Sequence, residues 1–323
     1  MTLTKLARLA NVSVSTASKA FSMSSEVNEE TREMIFKIAK ENNCFKKFFN
    51  AKYPKLVVAV ICPELQGSYY SDVFKHLQAE LSKVNCEVCV STTNFQDEKL
   101  CDIVSYYEKY TSVDAMIIVD RNFNRELVNE IPVICLDCAK CADADTKIFI
   151  DYKQTMEQIV DLLINSGAEN IGFIGEKLTV KKKEMFIKVL ESKRKCVDEN
   201  LIITTEERFE NSGYVALKKM IDLNNLPDAV VCAYDNIAYG VLRCAKDYGI
   251  NVPGDLMVVG MNNLEESAYF SPSLSSVDMS VKERAEIAVK ALCDLIQGKS
   301  VPKEIIVPAK LIERETTNKK IQS

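Results

Sequence analysis

Thr2-Leu-Thr-Lys-Leu-Ala-Arg-Leu-Ala-Asn-Val-Ser-Val-Ser-Thr-Ala-Ser-Lys-Ala-Phe21 is the stretch from which the rest of this 323-residue chain is read. Leu3, Leu6, Ala7 and Ala10 recur at spacings of three and four, and Ala17, Ala20 and Phe21 form a second apolar stripe. These spacings predict two short amphipathic helices. Asn11 stands between them, where a tight turn often needs a left-handed residue, and Ser13 is placed to cap the second helix. Val14 and Ser18 are four apart, as are Ser15 and Lys19, so all four share one face, while Val12, Ala17 and Phe21 take the other. A helix-turn-helix needs this division, because its second helix packs on the first with one side and lies in the major groove with the other. On periodicity alone, a small helical bundle with a solvated polar face fits equally well.

Downstream, Ile35, Ile38, Ala39 and Asn42 mark a third helix, with Asn28 as its N-cap and Glu29 and Glu30 favourably placed in its first turn. Residues 1–55 carry ten Lys/Arg against five Asp/Glu, which leaves 31 basic and 41 acidic residues for 56–323. A basic head on an acidic body implies that the head meets a polyanion which the body repels. Lys46-Lys-Phe-Phe-Asn-Ala-Lys-Tyr-Pro54 is basic and aromatic and ends at a proline, so 46–55 is taken as a linker after a head at 1–45.

Beyond the linker, short apolar or β-branched runs at 56–62, 87–91, 115–119, 133–136, 148–150, 171–174, 201–204, 229–233, 256–260 and 304–307 alternate with amphipathic helical stretches. That alternation predicts an α/β body with parallel sheets covered on both faces. Ten strands are too many for one modest open sheet, and at roughly 100 to 200 residues per domain the body divides into two similar lobes near Asp151.

Composition narrows the class. Apolar residues make up 47% and charged residues 27%, with only 10 Gly and 8 Pro, which excludes collagen-like, low-complexity and wholly disordered chains. Apolar runs fall far short of the roughly 20 residues that span a bilayer. The start lacks a basic segment followed by an apolar one, so a cytoplasmic protein is expected, with its twelve cysteines as thiols.

The residues of the head carry more than periodicity. With Val27-Asn-Glu-Glu-Thr-Arg32 and Ile38-Ala-Lys40, the opening stretch strongly resembles the head of the lac-repressor/galactose-repressor family over about forty residues. The resemblance implies that Val14 and Ser15 open a recognition helix as a base-reading pair, that Lys19 is the basic base reader, usually Arg, and that Ser13, Thr16 and Ser18 hold phosphates. Val14 then offers apolar contact only, and Lys19 donates to guanine without the planar fork of Arg. Two departures stand out: Asn11 replaces the family's turn glycine, and 46–55 is shorter than the family's hinge helix, without its opening proline or a clear leucine. Phe48, Phe49 or Tyr53 is left either as a minor-groove wedge or as packing for the body.

The resemblance continues along the body through Val58-Ala-Val-Ile-Cys-Pro-Glu-Leu65, Ile171-Gly-Phe-Ile-Gly175, Ser212-Gly-Tyr214, Tyr234-Asp-Asn-Ile-Ala-Tyr-Gly240, Val252-Pro-Gly-Asp-Leu256, Val258-Val-Gly260 and Ser271-Pro-Ser-Leu-Ser-Ser-Val277. It implies a type I periplasmic-binding-protein-like effector and dimerisation domain over 56–317. One lobe would take about 56–150 and 280–306, the other about 151–279 and 307–317, with crossings near 150, 279 and 307 and a tail at 318–323. A small molecule (sugar, sugar derivative, nucleoside or purine) would bind between the lobes. Carried over by position, the effector-binding candidates are Tyr69, Tyr70, Asp120, Asp137, Lys182, Phe209, Asp235 and Asn262, with Lys182 and Asn262 replacing an Arg and an Asp of the family pattern.

The implied protein is a homodimer that binds a pseudo-palindromic double-stranded operator and acts as a repressor, with no membrane partner and no cofactor. Cys135-x-x-Cys138-x-x-Cys141 and Cys86-x-x-Cys89 invite a metal or redox reading. Cys135 falls in a strand expected to be buried and no regular fourth ligand follows, so structural thiols and no metal site are expected. His76, in Val73-Phe-Lys-His-Leu-Gln-Ala-Glu80, has no second histidine to share a metal. No Gly-x-Gly-x-x-Gly follows a strand, and no Walker loop, Gly-x-Ser-x-Gly elbow or recognisable carboxylate pair is present, so an enzyme is not expected. A regulator without a small-molecule effector, constitutive or answering to thiols or a metal, is the alternative.

Overall fold

A computed structural model describes residues 2–49, 56–111, 113–120, 131–137 and 144–318. The head opens with α1 (Leu3–Leu9), α2 (Val14–Phe21) and α3 (Glu29–Glu41), followed by a single turn, α4 (Phe45–Phe48). Each of the three longer helices begins where a side chain relieves its unpaired amides. Thr2 accepts from the Lys5 amide, Ser13 from Thr16 at 2.9 Å and Asn28 from Thr31 at 2.8 Å. Asn11 takes a φ of 52° and Ala10 precedes it, so the chain turns between α1 and α2 in the left-handed conformation the sequence predicts. Leu6, Ala10, Ala20, Phe21, Val27, Ile35, Ala39 and Cys44 form the head's core.

The linker expectation meets a different start. Phe45 stacks on Phe49 at 4.6 Å between ring centroids, Phe48 lies 5.7 Å from Phe21, and Phe49 lies 5.3 Å from Phe36. Phe48 and Phe49 therefore pack partly buried on the core of the head. Burying several aromatic rings in so small a head outweighs leaving them on a polar linker. Tyr53 lies outside the described residues.

Packing divides the chain into two compact units, Met1–Ile148 with Ala285–Ile305 and Phe149–Arg284 with Ile306–Ser323. In the first unit, β1 (Leu56–Cys62), β2 (Cys86–Thr92), β3 (Ala115–Val119), β4 (Val133–Leu136), β5 (Thr146–Phe149) and β11 (Glu304–Ile306) form a sheet in the order β11-β5-β4-β3-β1-β2. The pairs β1–β2, β1–β3, β3–β4 and β4–β5 are all parallel. Helices α5 (Ser68–Lys83) and α6 (Asp97–Tyr110) supply the intervening crossovers. The all-buried Ala115–Val119 and Val133–Leu136 show why these runs are continuously apolar: both faces are covered.

The second unit repeats the plan with β6 (Ile171–Glu176), β7 (Ile202–Thr205), β8 (Ala229–Cys232), β9 (Met257–Met261), β10 (Ser275–Asp278) and β12 (Lys310–Ile312) in the order β12-β10-β9-β8-β6-β7. Only β12 runs antiparallel, against β10. Helices α7 (Tyr152–Asn165), α8 (Val180–Ser192), α9 (Phe209–Asp222) and α10 (Asp235–Asp247) belong to this unit, and α11 (Val281–Ile296) follows β10. The α/β architecture expected from the sequence is present, and among the described residues it has two strands more than the ten apolar runs suggested.

Helices α9 and α10 approach each other backbone to backbone. A Cβ at Gly213 would stand 1.9 Å from the Ile237 carbonyl oxygen, and one at Gly240 would stand 1.8 Å from that of Glu210. Glycine at both positions is therefore a packing requirement.

Candidate functional site

On α2, Ala17, Ala20 and Phe21 are buried and hold the helix to the head. The opposite face is Val14, Ser15 and Ser18, all exposed, with Lys19 beside them. Val14 is 43% exposed at the first turn of the helix, an apolar side chain that the interior does not use. No acidic residue stands in the first turn of α2, so the positive end of its dipole and its free amides are left for an anion. The Ser13 and Thr16 hydroxyls lie 2.8 Å apart. Sharing one hydrogen bond, they leave one hydroxyl proton over for an outside acceptor. The Lys19 ammonium is ion-paired with the Glu26 carboxylate from the loop before α3.

In the first unit, the strand ends carry Asp120 after β3 and Asp137 after β4. Both are buried. The Asp120 amide donates to the Leu136 carbonyl at 3.3 Å, and that of Asp137 to Ile148 at 2.9 Å. Tyr69 donates from its hydroxyl to the Asp137 carboxylate. The Tyr69 and Tyr70 rings meet edge to face at 5.2 Å, and Tyr70 reaches Phe95 at 6.0 Å. Burial, with Glu64 and Asp120 nearby, pushes the Cys62 thiol up to about 11, which keeps it protonated.

In the second unit, Lys182 on α8 is buried and its ammonium donates to the Ala233 carbonyl just beyond β8. Phe209 opens α9 with a φ of 56°. The Arg208 guanidinium lies 4.5 Å from its ring centre, the Tyr234 ring lies 6.1 Å away, and the Phe209 amide donates to the Tyr234 hydroxyl at 3.2 Å. Arg208 also donates to the buried Glu176 carboxylate at 3.1 Å. Asn262, after β9, has a φ of 107°, and its side-chain oxygen is buried without a hydrogen-bond partner among the described residues. An acceptor left in that state costs free energy until something donates to it.

Asp235 is placed differently. Its side chain is fully buried, Oδ1 accepting from the Ser276 hydroxyl at 2.5 Å, Oδ2 from the Leu264 amide at 2.8 Å and the Ser267 hydroxyl at 2.9 Å. Burial pushes its carboxyl up to about 7 despite those donors and Arg314. A Cβ at Gly260 would stand 2.1 Å from Oδ1, so β9 is kept open for this carboxyl. All three of these donors belong to the protein, and the carboxyl ties the loop after β9 to α10 and β10.

Residues 2–44 match the model for bacterial regulatory proteins of the lacI family, and residues 160–317 match that of the periplasmic binding protein-like domain. The chain belongs to the lacI family. It is a DNA-binding transcription regulator of that family. It is similar to catabolite control protein A of Staphylococcus epidermidis, 26% identical over 330 residues covering 98% of this chain and 99% of the relative. Its fold is similar to that of the Escherichia coli transcriptional repressor ascG, with a TM-score of 0.73 at 20% identity over 81% of this chain and 99% of that one. It is similar also to a lac repressor dimer bound to operator and the anti-inducer ONPF, with a TM-score of 0.72 at 20% identity over 98% and 99% of the two chains.

Of the effector candidates in this lacI-family chain, the structure brings Tyr69 to Asp137, and Tyr70 to Tyr69. Lys182, Phe209 and Asn262 all stand at the strand-end side of the second sheet, whereas Asp235 turns inward. Glu176, Arg208 and Tyr234 join Phe209 there and were not singled out from the sequence. Glu176 ends β6 and Arg208 precedes α9, 32 residues apart, so no local spacing in the sequence pairs them. Cys135 is buried in β4, and Cys138 and Cys141 lie outside the described residues. His76 sits 3.5 Å from Asp72 one turn earlier on α5. No helix among the described residues is long and apolar enough to cross a membrane.

Proposed function

We propose that the protein is a homodimeric repressor that reads a pseudo-palindromic operator through α2 and answers to a small neutral or polar molecule of the sugar, nucleoside or purine classes. The observation that carries the DNA reading is the outer face of α2: Val14, Ser15 and Ser18 are exposed, support no packing, and stand at a helix start free of acidic residues. In this reading Val14 meets a thymine methyl, Ser15 a base edge and Lys19 a guanine, while Ser13, Thr16 and Ser18 hold phosphates, the Ser13–Thr16 pair through its one remaining hydroxyl proton. Two copies set the spacing of the half-sites. The lac repressor structure, a dimer holding both an operator and an anti-inducer, supports joining these parts in one protein.

The candidate effector-binding groups stand at strand ends within each unit. Tyr69, Tyr70, Asp120 and Asp137 offer ring faces and acceptors for hydroxyls, and Lys182, Phe209 and Asn262 offer a cation, a ring and an acceptor awaiting a donor. The test is thermal denaturation of the full chain with sugars, sugar derivatives, nucleosides and purines. A true effector at 100 times its dissociation constant stabilises by about 2.7 kcal/mol. Stabilisation by one class, lost in Asn262→Ala, is the expected result. No shift with any class contradicts the effector half of the proposal and leaves a regulator controlled by other means.

A further inference from the structure

Glu26 is the one acidic side chain paired with a residue of the DNA-reading face among the described contacts, and its position is built, not incidental. The loop that carries it leaves α2 through the Ser24 amide, which donates to the Lys19 carbonyl at 3.0 Å. The buried Arg32 of α3 then grips the same loop on both sides of Glu26, donating from one nitrogen to the Ser24 and Val27 carbonyls at 2.8 Å each. The Glu26 amide donates to the Ser24 hydroxyl at 3.3 Å. Glu26 is thus presented from a braced loop toward the Lys19 ammonium, with 66% of its own side chain and 42% of that of Lys19 exposed.

We propose that Glu26 is a specificity-determining residue, a positioning carboxylate that restrains Lys19 against phosphates and so widens the gap between operator and non-operator DNA. The inference rests on the DNA-reading role of α2 set out above. On a non-operator duplex, Lys19 finds no base acceptor in register and gains only by swinging to a phosphate. That swing breaks the pair with Glu26 and leaves a carboxylate facing the polyanion, a like-charge cost. On the operator, guanine acceptors meet the ammonium where Glu26 already holds it, so the cost is not incurred. The exposed pair adds little to folding, which fits a role in recognition.

The experiment uses the full chain. Wild-type protein first enriches duplexes from a random pool, and the enriched duplex and a scrambled duplex of the same composition are then titrated with wild type, Glu26→Gln, Lys19→Ala and the double variant across a salt series. Glu26→Gln is expected to bind the scrambled duplex about two- to five-fold tighter, the worth of an exposed ion pair. Its log–log salt slope on that duplex should steepen by about one, as Lys19 gains a phosphate. Affinity for the enriched duplex changes less, so discrimination falls, and Glu26→Gln has no such effect in the Lys19→Ala background. Unchanged binding to the scrambled duplex, equal tightening on both duplexes, or the same effect without Lys19 overturns the proposal. Failure of wild type to enrich any sequence removes the DNA-reading role itself, and the inference falls with it. Folding is not at issue in an exposed Glu-to-Gln change, and thermal denaturation of each variant confirms it.

Discussion

Lys19 on α2 and Lys182 on α8 both stand where the resembling family usually has arginine, yet the protein uses them in opposite ways. The Lys19 ammonium is held at an exposed carboxylate of the next loop, while Lys182 is buried with its ammonium on the Ala233 carbonyl just beyond the end of β8. A sharper contrast separates Ser15 and Ser18, exposed on α2, from Asp235, enclosed by Ser276, Ser267 and the Leu264 amide. A polar residue that supports no packing points outward to a partner. A polar residue with all its hydrogen-bonding capacity turned inward is part of the scaffold, whatever its position in a motif.

That contrast can be broken by substitution, and the largest effect belongs to the scaffold. Asp235→Ala leaves three donors unsatisfied in a fully buried place and is expected to cost at least about 3 kcal/mol of unfolding free energy in a denaturant titration. A cost under about 1 kcal/mol would return Asp235 to the list of ligand-facing groups. Gly240→Ala comes next, at about 1–3 kcal/mol, because its methyl must displace the Glu210 carbonyl from α9.

Lys19→Ala should leave stability within about 0.5 kcal/mol of wild type while weakening operator binding by about 1–3 kcal/mol relative to non-specific DNA. Equal weakening on both kinds of DNA would make Lys19 a phosphate contact only. A pH profile sharpens the scaffold side. The folded carboxyl of Asp235 titrates at about 7, above its unfolded value, so its protonated form favours folding. The contribution is complete at acid pH and is lost as pH rises from about 4 to 7. Asp235→Asn should flatten that part of the stability profile measured by denaturant unfolding.

The head was readable in detail because its signals are local. Asn11, Ser13 and Asn28 each act within a few residues, and the turn and caps fell where those residue types require them. The parallel strands were readable because burial on both faces demands unbroken apolar runs. Strand β10, Ser275-Ser-Val-Asp278, escaped because it is buried through hydroxyls: Ser276 on Asp235, and Ser275 on the Arg314 carbonyl at 3.1 Å. Strand β12 escaped because one exposed and two half-buried residues at an edge carry no periodic signal. Phe48 and Phe49 could be read as linker since nothing nearby in sequence names Phe21 and Phe36 as their partners. At the candidate effector site, resemblance named positions but not directions. Whether Asp235 faces outward or Glu176 meets Arg208 depends on residues tens of positions apart.

The most direct test of the account is sequence enrichment from a random duplex pool by the full-length protein and by its Lys19→Ala variant. The account predicts that wild type enriches one two-fold symmetric motif, and that Lys19→Ala loses preference at a single symmetry-related guanine position in each half-site while keeping the rest. Identical motifs from the two proteins, or no motif from wild type, would contradict it.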